Sequence, residues 1–252
     1  MNLIIFKTVF IRTLTNVKRR PVILFLSFLQ PLIWITFFGF IFQRFPIDNG
    51  DSTIKYIDFL LPGICSMTVL LGSSQSGISI IRDGQTGFLE RTISTALDLN
   101  SFLVGKISAD LVRVITQAVI VALLGITLGA TVHITISTCI AFIFLCLFGL
   151  SYSLLSCLIA FNTDSQEALS AFIHIFNMPI FFTSTALVPL KAMPQWMEHF
   201  AAWNPLTLAV SPLRSAMLAQ TDWWSNKSFF TLLIMAMVLF IIASRSLNLK
   251  RI

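Results

Sequence analysis

The sequence predicts an all-α integral membrane protein, with six transmembrane helices, an N-terminal interfacial helix, a short cytoplasmic helix, and external re-entrant helices between spans five and six. Of its 252 residues, 56% are hydrophobic and 11% are charged, whereas a soluble domain carries about 25% charged residues. The apolar residues form runs of about 20, the length that a helix needs to cross a bilayer. The basic residues behind the net charge of +6 cluster at the ends of these runs, which membrane topology explains better than nucleic-acid binding.

The N-terminal segment, residues 1–20, predicts the interfacial helix. Apolar residues recur there at helical spacing, and basic residues occupy other positions around the helix, as in helices that lie in the plane of a membrane surface. The apolar set is Phe6, Phe10, Leu14 and Val17, and the basic set includes Lys7, Arg12 and Lys18.

Six apolar runs predict the spans, so that residues 1–252 form a single transmembrane domain. The second run is rich in glycine and serine between Gly72 and Gly77. Small residues permit close approach of two backbones, which favours packing of this run against another helix rather than against lipid. The runs cover residues 21–42, 57–81, 103–128, 134–161, 168–188 and 229–244.

Residues 85–99, between spans two and three, predict a short amphipathic helix. It is too short and too polar to cross a bilayer, so it lies flat at the surface or docks its apolar face into a partner. We interpret it as the place where a separate protein pushes on the membrane helices; the alternative is a surface helix that only connects two spans. Leu89, Ile93 and Leu97 lie on one face, and Glu90 and Arg91 lie on the other.

Residues 189–219 predict external helices that enter the membrane without crossing it. The stretch is apolar but contains Asn204, Pro205 and Arg214. A charge at the centre of a membrane helix costs about 2.5–3.5 kcal/mol on insertion scales, so short helices buried against protein are expected instead.

The distribution of lysine and arginine predicts a multi-pass protein of the cytoplasmic membrane with both termini in the cytoplasm. In the six-span topology, twelve of the 17 basic residues lie on the side that carries the termini and residues 85–99, and five lie on the other side. The positive-inside rule makes the first side cytoplasmic.

No catalytic, metal or nucleotide site is predicted. A P-loop needs GxxxxGK followed by Ser or Thr, but Gly105-Lys106 is followed by Ile107. An ion-coupled transporter would place a carboxylate at mid-membrane, whereas Asp58 and Asp110 are predicted near span ends. The four cysteines lie in apolar runs without metal-binding spacing and are predicted to be small buried hydrophobes. They are Cys65, Cys139, Cys146 and Cys157.

His174 and Asn177, one helical turn apart in the fifth run, leave two interpretations open. They could contact cargo or relay a proton on a translocation path, or they could form hydrogen-bonded packing between helices.

Two stretches resemble the membrane subunits of type 2 ABC transporters, the drug-resistance and polysaccharide export permeases. The family tends to show Gly-Thr-Leu-Glu, Leu-Leu-Ala-Thr-Pro and then Gly-Lys around the cytoplasmic loop; Ala96 stands where the family often has Pro. The similar residues are Gly87-Phe88-Leu89-Glu90, Ile93 to Ala96 and Gly105-Lys106 in that loop. In the external segment they are Pro189, Pro194-Gln195-Trp196, Asn204-Pro205-Leu206-Thr207 and Leu213-Arg214.

The resemblance implies a permease subunit of an ATP-driven exporter, which is not itself an enzyme and carries no cofactor. ATP and Mg would bind to a separate ATPase subunit present in two copies, and a second membrane subunit, identical or related, would complete the transporter. The cargo would be hydrophobic or amphipathic: a lipophilic small molecule, a lipid or a glycan. The alternatives are a membrane assembly or scaffold protein, an ion-coupled secondary transporter and an intramembrane enzyme. The resemblance assigns coupling to the ATPase to Gly87, Phe88, Leu89, Glu90, Arg91, Ile93 and Leu97.

Overall fold

The computed structural model describes residues 2–19, 21–43, 47–48, 53–88, 98–163 and 165–249. Within these ranges the chain is helical apart from short turns and one pair of two-residue strands, which run antiparallel with Ile47 opposite Ile54. The α-helices are α1 (Leu3–Lys18), α2 (Pro21–Ile41), α3 (Tyr56–Gln85), α4 (Leu99–Thr127), α5 (Ile136–Phe161), α6 (Gln166–Phe182), α7 (Gln195–Trp203), α8 (Pro205–Met217) and α9 (Asn226–Leu249). The strands are β1 (Ile47–Asp48) and β2 (Thr53–Ile54), and a 3-10 helix covers Leu190–Ala192.

Polar residues fix where several helices begin. The Asp98 carboxylate accepts hydrogen bonds from the backbone N–H groups of Asn100 and Ser101 and starts α4. The Asn204 side chain accepts from the N–H of Leu206 at 2.8 Å, and Pro205 occupies the first position of α8. Both arrangements satisfy N–H groups that have no partner inside the helix.

Among the residues that the structure describes, four helices are long and apolar enough to cross a membrane: α3, α4, α5 and α9. The other two predicted spans are also helical, α2 with 21 residues and α6 with 17. At 1.5 Å per residue α6 is about 25 Å long, less than the hydrocarbon thickness of about 30 Å. The predicted fifth run extended to residue 188, but the helix ends at Phe182. Near this end the carbonyl of Ile180 accepts a hydrogen bond from the Asn204 side chain, which ties the end of α6 to the start of α8.

The six long helices run alternately between two ends of a bundle. At one end, here called the α1 end, Arg12 of α1 contacts Asp83 near the end of α3. At the opposite end, the α8 end, the Tyr56 hydroxyl at the start of α3 donates to the carbonyl of Leu187. The first turn of α3 is also tied to the α4–α5 connection there, because Thr131 donates to the Asp58 carboxylate.

Helix α3 lies at the centre of this bundle. In its most apolar stretch 89% of the residues are buried, against 22% in the corresponding stretch of α9. A Cβ atom on Gly77 would lie 2.3 Å from the carbonyl oxygen of Ser156 in α5, and one on Gly72 would lie 2.6 Å from a methyl carbon of Val114 in α4. The prediction that this run packs closely against other helices is therefore confirmed.

Helix α1 packs along the start of α4. Its buried residues are Ile5, Val9 and Thr13, whereas the predicted apolar stripe lay one position further along the chain and is only half-buried. The reason is the groove on α4 at Gly105, where a Cβ atom would come within 2.8 Å of the Phe6 carbonyl.

The prediction of four buried cysteines is correct for two of them. Cys65 and Cys157 are buried, Cys146 is half-buried and Cys139 is exposed, and all four are free thiols. Apolar surroundings along the sequence do not distinguish the inward face of α5 from its outward face.

Candidate functional site

The connection between α3 and α4 coincides with the predicted coupling segment, residues 85–99. Helix α3 ends at Gln85, Gly87 adopts a positive φ of 69° that favours glycine, and α4 begins at Leu99. Of the predicted coupling residues, Gly87 and Phe88 are described. Leu89, Glu90, Arg91, Ile93 and Leu97 lie outside the described residues.

Phe88 is held between two other helices where the chain leaves α3. The guanidinium carbon of Arg12 lies 3.5 Å from the centroid of the Phe88 ring, a cation–π arrangement. The rings of Phe88 and Phe102 lie 6.3 Å apart between centroids. A displacement of this connection would therefore be transmitted to α1, α3 and α4 together.

Charged side chains from three helices meet beside this connection. The Asp83 carboxylate lies 3.0 Å from Arg12 and 3.7 Å from Lys106, whose side chain is only 2% exposed. Further along α4, Arg113 pairs with Asp110 at 3.7 Å and donates to the carbonyl of Gly72 at 2.8 Å. The cluster links α1, α3 and α4 electrostatically.

Sequence reasoning missed this cluster, although a signal was present. Lys106, Asp110 and Arg113 recur at i, i+4 and i+7 and so share one face of α4. Asp110, predicted near a span end, is the twelfth residue of α4 and is 4% exposed. Ionisable residues within an apolar helix face a bundle interior or a cavity, and this spacing indicated such an interior.

The two residues of the predicted pair, His174 and Asn177, lie in different environments on α6. Asn177 points into the bundle, where its amide donates to the Ser74 hydroxyl at 3.0 Å and its carbonyl accepts from Tyr152. His174 is exposed on the outer face of α6. Asn177 thus joins α3, α5 and α6 by hydrogen bonds, as in the packing interpretation, and a role of either residue on a translocation path stays a prediction.

Residues 189–219 fold into the 3-10 helix, α7 and α8 at the α8 end. Pro189 and Pro194 precede the 3-10 helix and α7, and Trp196 is 66% exposed. The Asn204 amide donates to the carbonyl of Ile180 and to the Thr183 hydroxyl, which ties the start of α8 to the end of α6.

Arg214 ties α8 to α3 and to the chain that follows α6. Its Nε donates to the Phe59 carbonyl at 3.0 Å, and its Nη2 donates to the Ala186 carbonyl at 3.2 Å. Ala186 itself lies against Gly63 of α3, where a Cβ atom would meet the Ala186 oxygen at 2.2 Å. Arg214 and the close contact at Gly63 thus fix the segment on the first turns of α3.

No group of three or more His, Cys, Asp or Glu residues in the described part of the chain is arranged to hold a metal ion. The charged cluster at the α1 end contains ion pairs rather than a ligand set.

Comparison with known proteins identifies the family of this chain. The family described as "ABC-2 type transporter" matches residues 5–218. The chain is 33% identical over 223 residues to the putative transport permease ycf38 of Cyanophora paradoxa, and the aligned region covers 88% of this chain and 76% of that protein. It is 26% identical over 214 residues to the daunorubicin resistance ABC transporter permease protein DrrB1 of Streptomyces coeruleorubidus, covering 84% and 73%. It is 23% identical over 157 residues to the probable multidrug ABC transporter permease YbhR of Escherichia coli K12, covering 62% and 42%. The chain therefore belongs to the ABC-2 type transporter family, as a multi-pass membrane permease.

Proposed function

We propose that this permease is the membrane subunit of an ATP-driven exporter that moves a lipophilic small molecule, a lipid or a glycan across the cytoplasmic membrane. A separate ATPase subunit, in two copies, supplies the energy, and a second membrane subunit, identical or related, completes the pathway. The family match supports the assignment. DrrB1 is named for daunorubicin resistance and YbhR as a probable multidrug transporter permease, and both names favour export of a lipophilic compound.

The central position of α3 carries this proposal. The helix has 30 residues and is about 45 Å long, with Phe88 and the charged cluster at one end and the Arg214 contacts at the other. A push on residues 86–98 is thus passed along a rigid, buried helix to the α8 end. Packed helices have discrete alternative arrangements, so a small displacement can switch which end is open.

The topology that we propose has six crossings with both termini in the cytoplasm. The alternate direction of the six long helices and the excess of basic residues at the α1 end support it. Helices α7 and α8 have nine and 13 residues and are too short to cross a bilayer. In this topology they form the external segment.

An ion-coupled transporter is the second candidate, and one observation favours it. The Asp110 carboxylate is buried, and its Oδ2 has no hydrogen-bond partner among the described residues. A buried carboxylate inside a membrane helix is a candidate carrier of protons.

Reconstitution separates these functions. The chain is purified with a candidate P-loop ATPase subunit from the same organism, and uptake of a lipophilic fluorescent dye into proteoliposomes is measured with ATP or with an imposed pH gradient. We expect uptake that needs ATP and stops when the P-loop lysine of the ATPase is replaced by alanine. Uptake driven by the pH gradient alone would show an ion-coupled transporter, and ATPase binding without any transport would indicate a scaffold.

The coupling role is tested by truncating the apolar face of residues 85–99. Leu89→Ala/Ile93→Ala is expected to insert normally but to lose retention of the ATPase and stimulated ATP hydrolysis. Truncation of a well-packed apolar residue costs about 2–5 kcal/mol, and less at an adaptable interface. Glu90→Gln/Arg91→Gln, on the predicted polar face, is the comparison and should have a smaller effect, because a solvent-exposed ion pair typically contributes about 0–1 kcal/mol. Normal ATPase retention and turnover in Leu89→Ala/Ile93→Ala would reduce the segment to a connector.

A further inference from the structure

A cavity of about 700 Å³ lies between the first four helices at the α1 end. This volume is within the range of about 300–1,000 Å³ typical of small-molecule sites. Asn16 of α1 and Leu26 of α2 both line the cavity and are exposed, Leu26 by 55%. The cavity therefore opens to the surface of the bundle between α1 and α2.

The polar part of this cavity has an excess of positive charge. Four basic and two acidic side chains line it, which gives a formal net charge of +2. Asp83 lies between Arg12 and Lys106, and Asp110 pairs with Arg113. Arg82 is half-buried, and its guanidinium has no hydrogen bond or ion pair with any described residue. Because partly buried charge is costly without a counter-charge, the cavity favours an anion beside Arg82.

The remaining lining adds two further requirements for a ligand. Val17, Leu26, Leu71 and Ile78 supply an apolar wall next to the charged groups, which suits a hydrocarbon tail. Asp110 presents a buried Oδ2 with no partner among the described residues. This acceptor can bind a hydroxyl or amine donor that the ligand carries next to its anionic group.

We infer that this cavity binds the phosphate group of an amphiphile, with its tail against the apolar wall and a hydroxyl or amine of its headgroup near Asp110. Guanidinium groups match phosphate oxygens in two parallel hydrogen bonds, which makes Arg82 the main contact. The opening between α1 and α2 admits such a molecule sideways. The inference concerns binding by this chain and holds whether or not the amphiphile is transported.

Binding is measured by titrating the purified full chain, in a neutral detergent, with phosphatidylglycerol and counting bound lipid by native mass spectrometry. We expect one saturable site per chain. Arg82→Gln should weaken its apparent affinity by about tenfold or more, because the variant loses the hydrogen bonds of a charged guanidinium to phosphate. Arg19→Gln is the matched control: Arg19 is an exposed arginine just after α1 that does not line the cavity.

A variant that is expected to raise the affinity for phosphatidylglycerol distinguishes an electrostatic effect from damage to the fold. Asp110→Asn removes a negative charge from the cavity while it keeps an oxygen acceptor, so it should strengthen phosphatidylglycerol binding. Two results would overturn the site. Equal weakening by Arg82→Gln and Arg19→Gln would mean that the bound lipid is general surface lipid. Loss of binding in Asp110→Asn would mean that binding depends on the packing of the fold and not on charge.

Competition with soluble phosphates tests whether the bound phosphate must belong to a lipid. Glycerol 3-phosphate and inorganic phosphate are added as competitors at equal concentration. Failure of both to displace phosphatidylglycerol supports an amphiphile. If glycerol 3-phosphate binds the site as tightly as phosphatidylglycerol does, and Arg82→Gln weakens both, the phosphate site stands but the hydrocarbon tail contributes nothing to binding.

Discussion

Arg214 of α8 stacks on Phe59 of α3 while its Nε donates to the carbonyl of the same residue at 3.0 Å. The guanidinium carbon lies 3.7 Å from the centroid of the Phe59 ring. The Arg214 side chain thus donates to a backbone carbonyl and covers an aromatic ring. These two contacts accommodate a positive charge within residues 189–219, a stretch apolar enough to resemble a membrane span.

Replacing Arg214 by leucine should detach α8 from the first turns of α3. The carbonyl of Ala186 loses a donor in a buried site, which costs about 1–3 kcal/mol. We expect a lower melting temperature, lower expression and less transport, with ATPase binding preserved because the ATPase would contact the opposite end. The control is Lys191→Leu, an exposed charge in the same segment. Loss of ATPase binding in Arg214→Leu would count against the separation of the two ends.

Gly77→Ala should destabilise the contact between α3 and α5. Its Cβ would lie 2.3 Å from the Ser156 carbonyl oxygen, a backbone atom that cannot rotate away, and overpacking typically costs about 1–3 kcal/mol. Gly84→Ala, in the same helix, is the control: nothing lies within 4 Å of its Cβ, and alanine favours a helix by up to about 1 kcal/mol. In detergent, the melting temperature of Gly77→Ala should be below that of the parent protein, and that of Gly84→Ala should be equal or higher.

Asn177→Leu should destabilise the protein, and His174→Leu should not. The leucine leaves the buried Tyr152 hydroxyl without the acceptor shown in the structure, at a cost of about 1–3 kcal/mol. His174 is exposed one turn away and serves as the matched position. If Asn177→Ala and Tyr152→Phe are additive in a double-mutant cycle, the hydrogen bond contributes no coupling. If His174→Leu abolishes transport without changing stability, a role for His174 on the translocation path gains support.

Cysteine labelling in intact cells tests the proposed topology. Cys139 and Cys146 are first replaced by serine, because Cys139 is exposed and Cys146 half-buried. Lys55→Cys and Lys191→Cys should then react with a membrane-impermeant maleimide, and Arg91→Cys should react only after the cells are opened. Reaction of Arg91→Cys from outside would invert the orientation.

Asp98 should stabilise the start of α4 in a pH-dependent manner. A hydrogen bond from the Ser101 hydroxyl, at 2.8 Å, lowers the pKa of its carboxyl group, and backbone N–H groups of Ser101 and Asn2 act in the same direction. A folded pKa below the unfolded value of about 3.9 gives stability that is present above that pH and is lost as pH falls through the folded pKa.

Asp98→Ala should therefore lower the melting temperature between pH 5 and 8, since loss of a helix cap costs about 0.5–2 kcal/mol. The difference from the parent protein should shrink below about pH 4. Asp222→Ala, an exposed aspartate at the α8 end, is the control. A constant difference at every pH would mean that the Asp98 charge does not contribute.

Much of the fold could be predicted from the sequence because lipid imposes strong local requirements. Apolar runs of about 20 residues must be helical to satisfy their backbone groups, and each of the six runs overlaps one of the long helices. The break between α7 and α8 follows from Asn204 and Pro205, which start a helix whatever surrounds them. Charge counting gave an orientation, which stays a prediction.

The sequence by itself determined the membrane class, the helices and the likeness to ABC-2 permeases, whereas the tertiary structure decided which side chains meet. Arg12 lies 71 residues from Asp83, and Phe59 lies 155 residues from Arg214. Periodicity places a residue on one face of its own helix but does not say which helix covers that face. His174 and Asn177 have neighbouring positions on α6, yet only Asn177 turns toward Ser74. The physical reason is that Gly72 and Gly77 on α3 bring α4 and α5 into close contact with it, and the rotation of each helix depends on such contacts between distant parts of the chain.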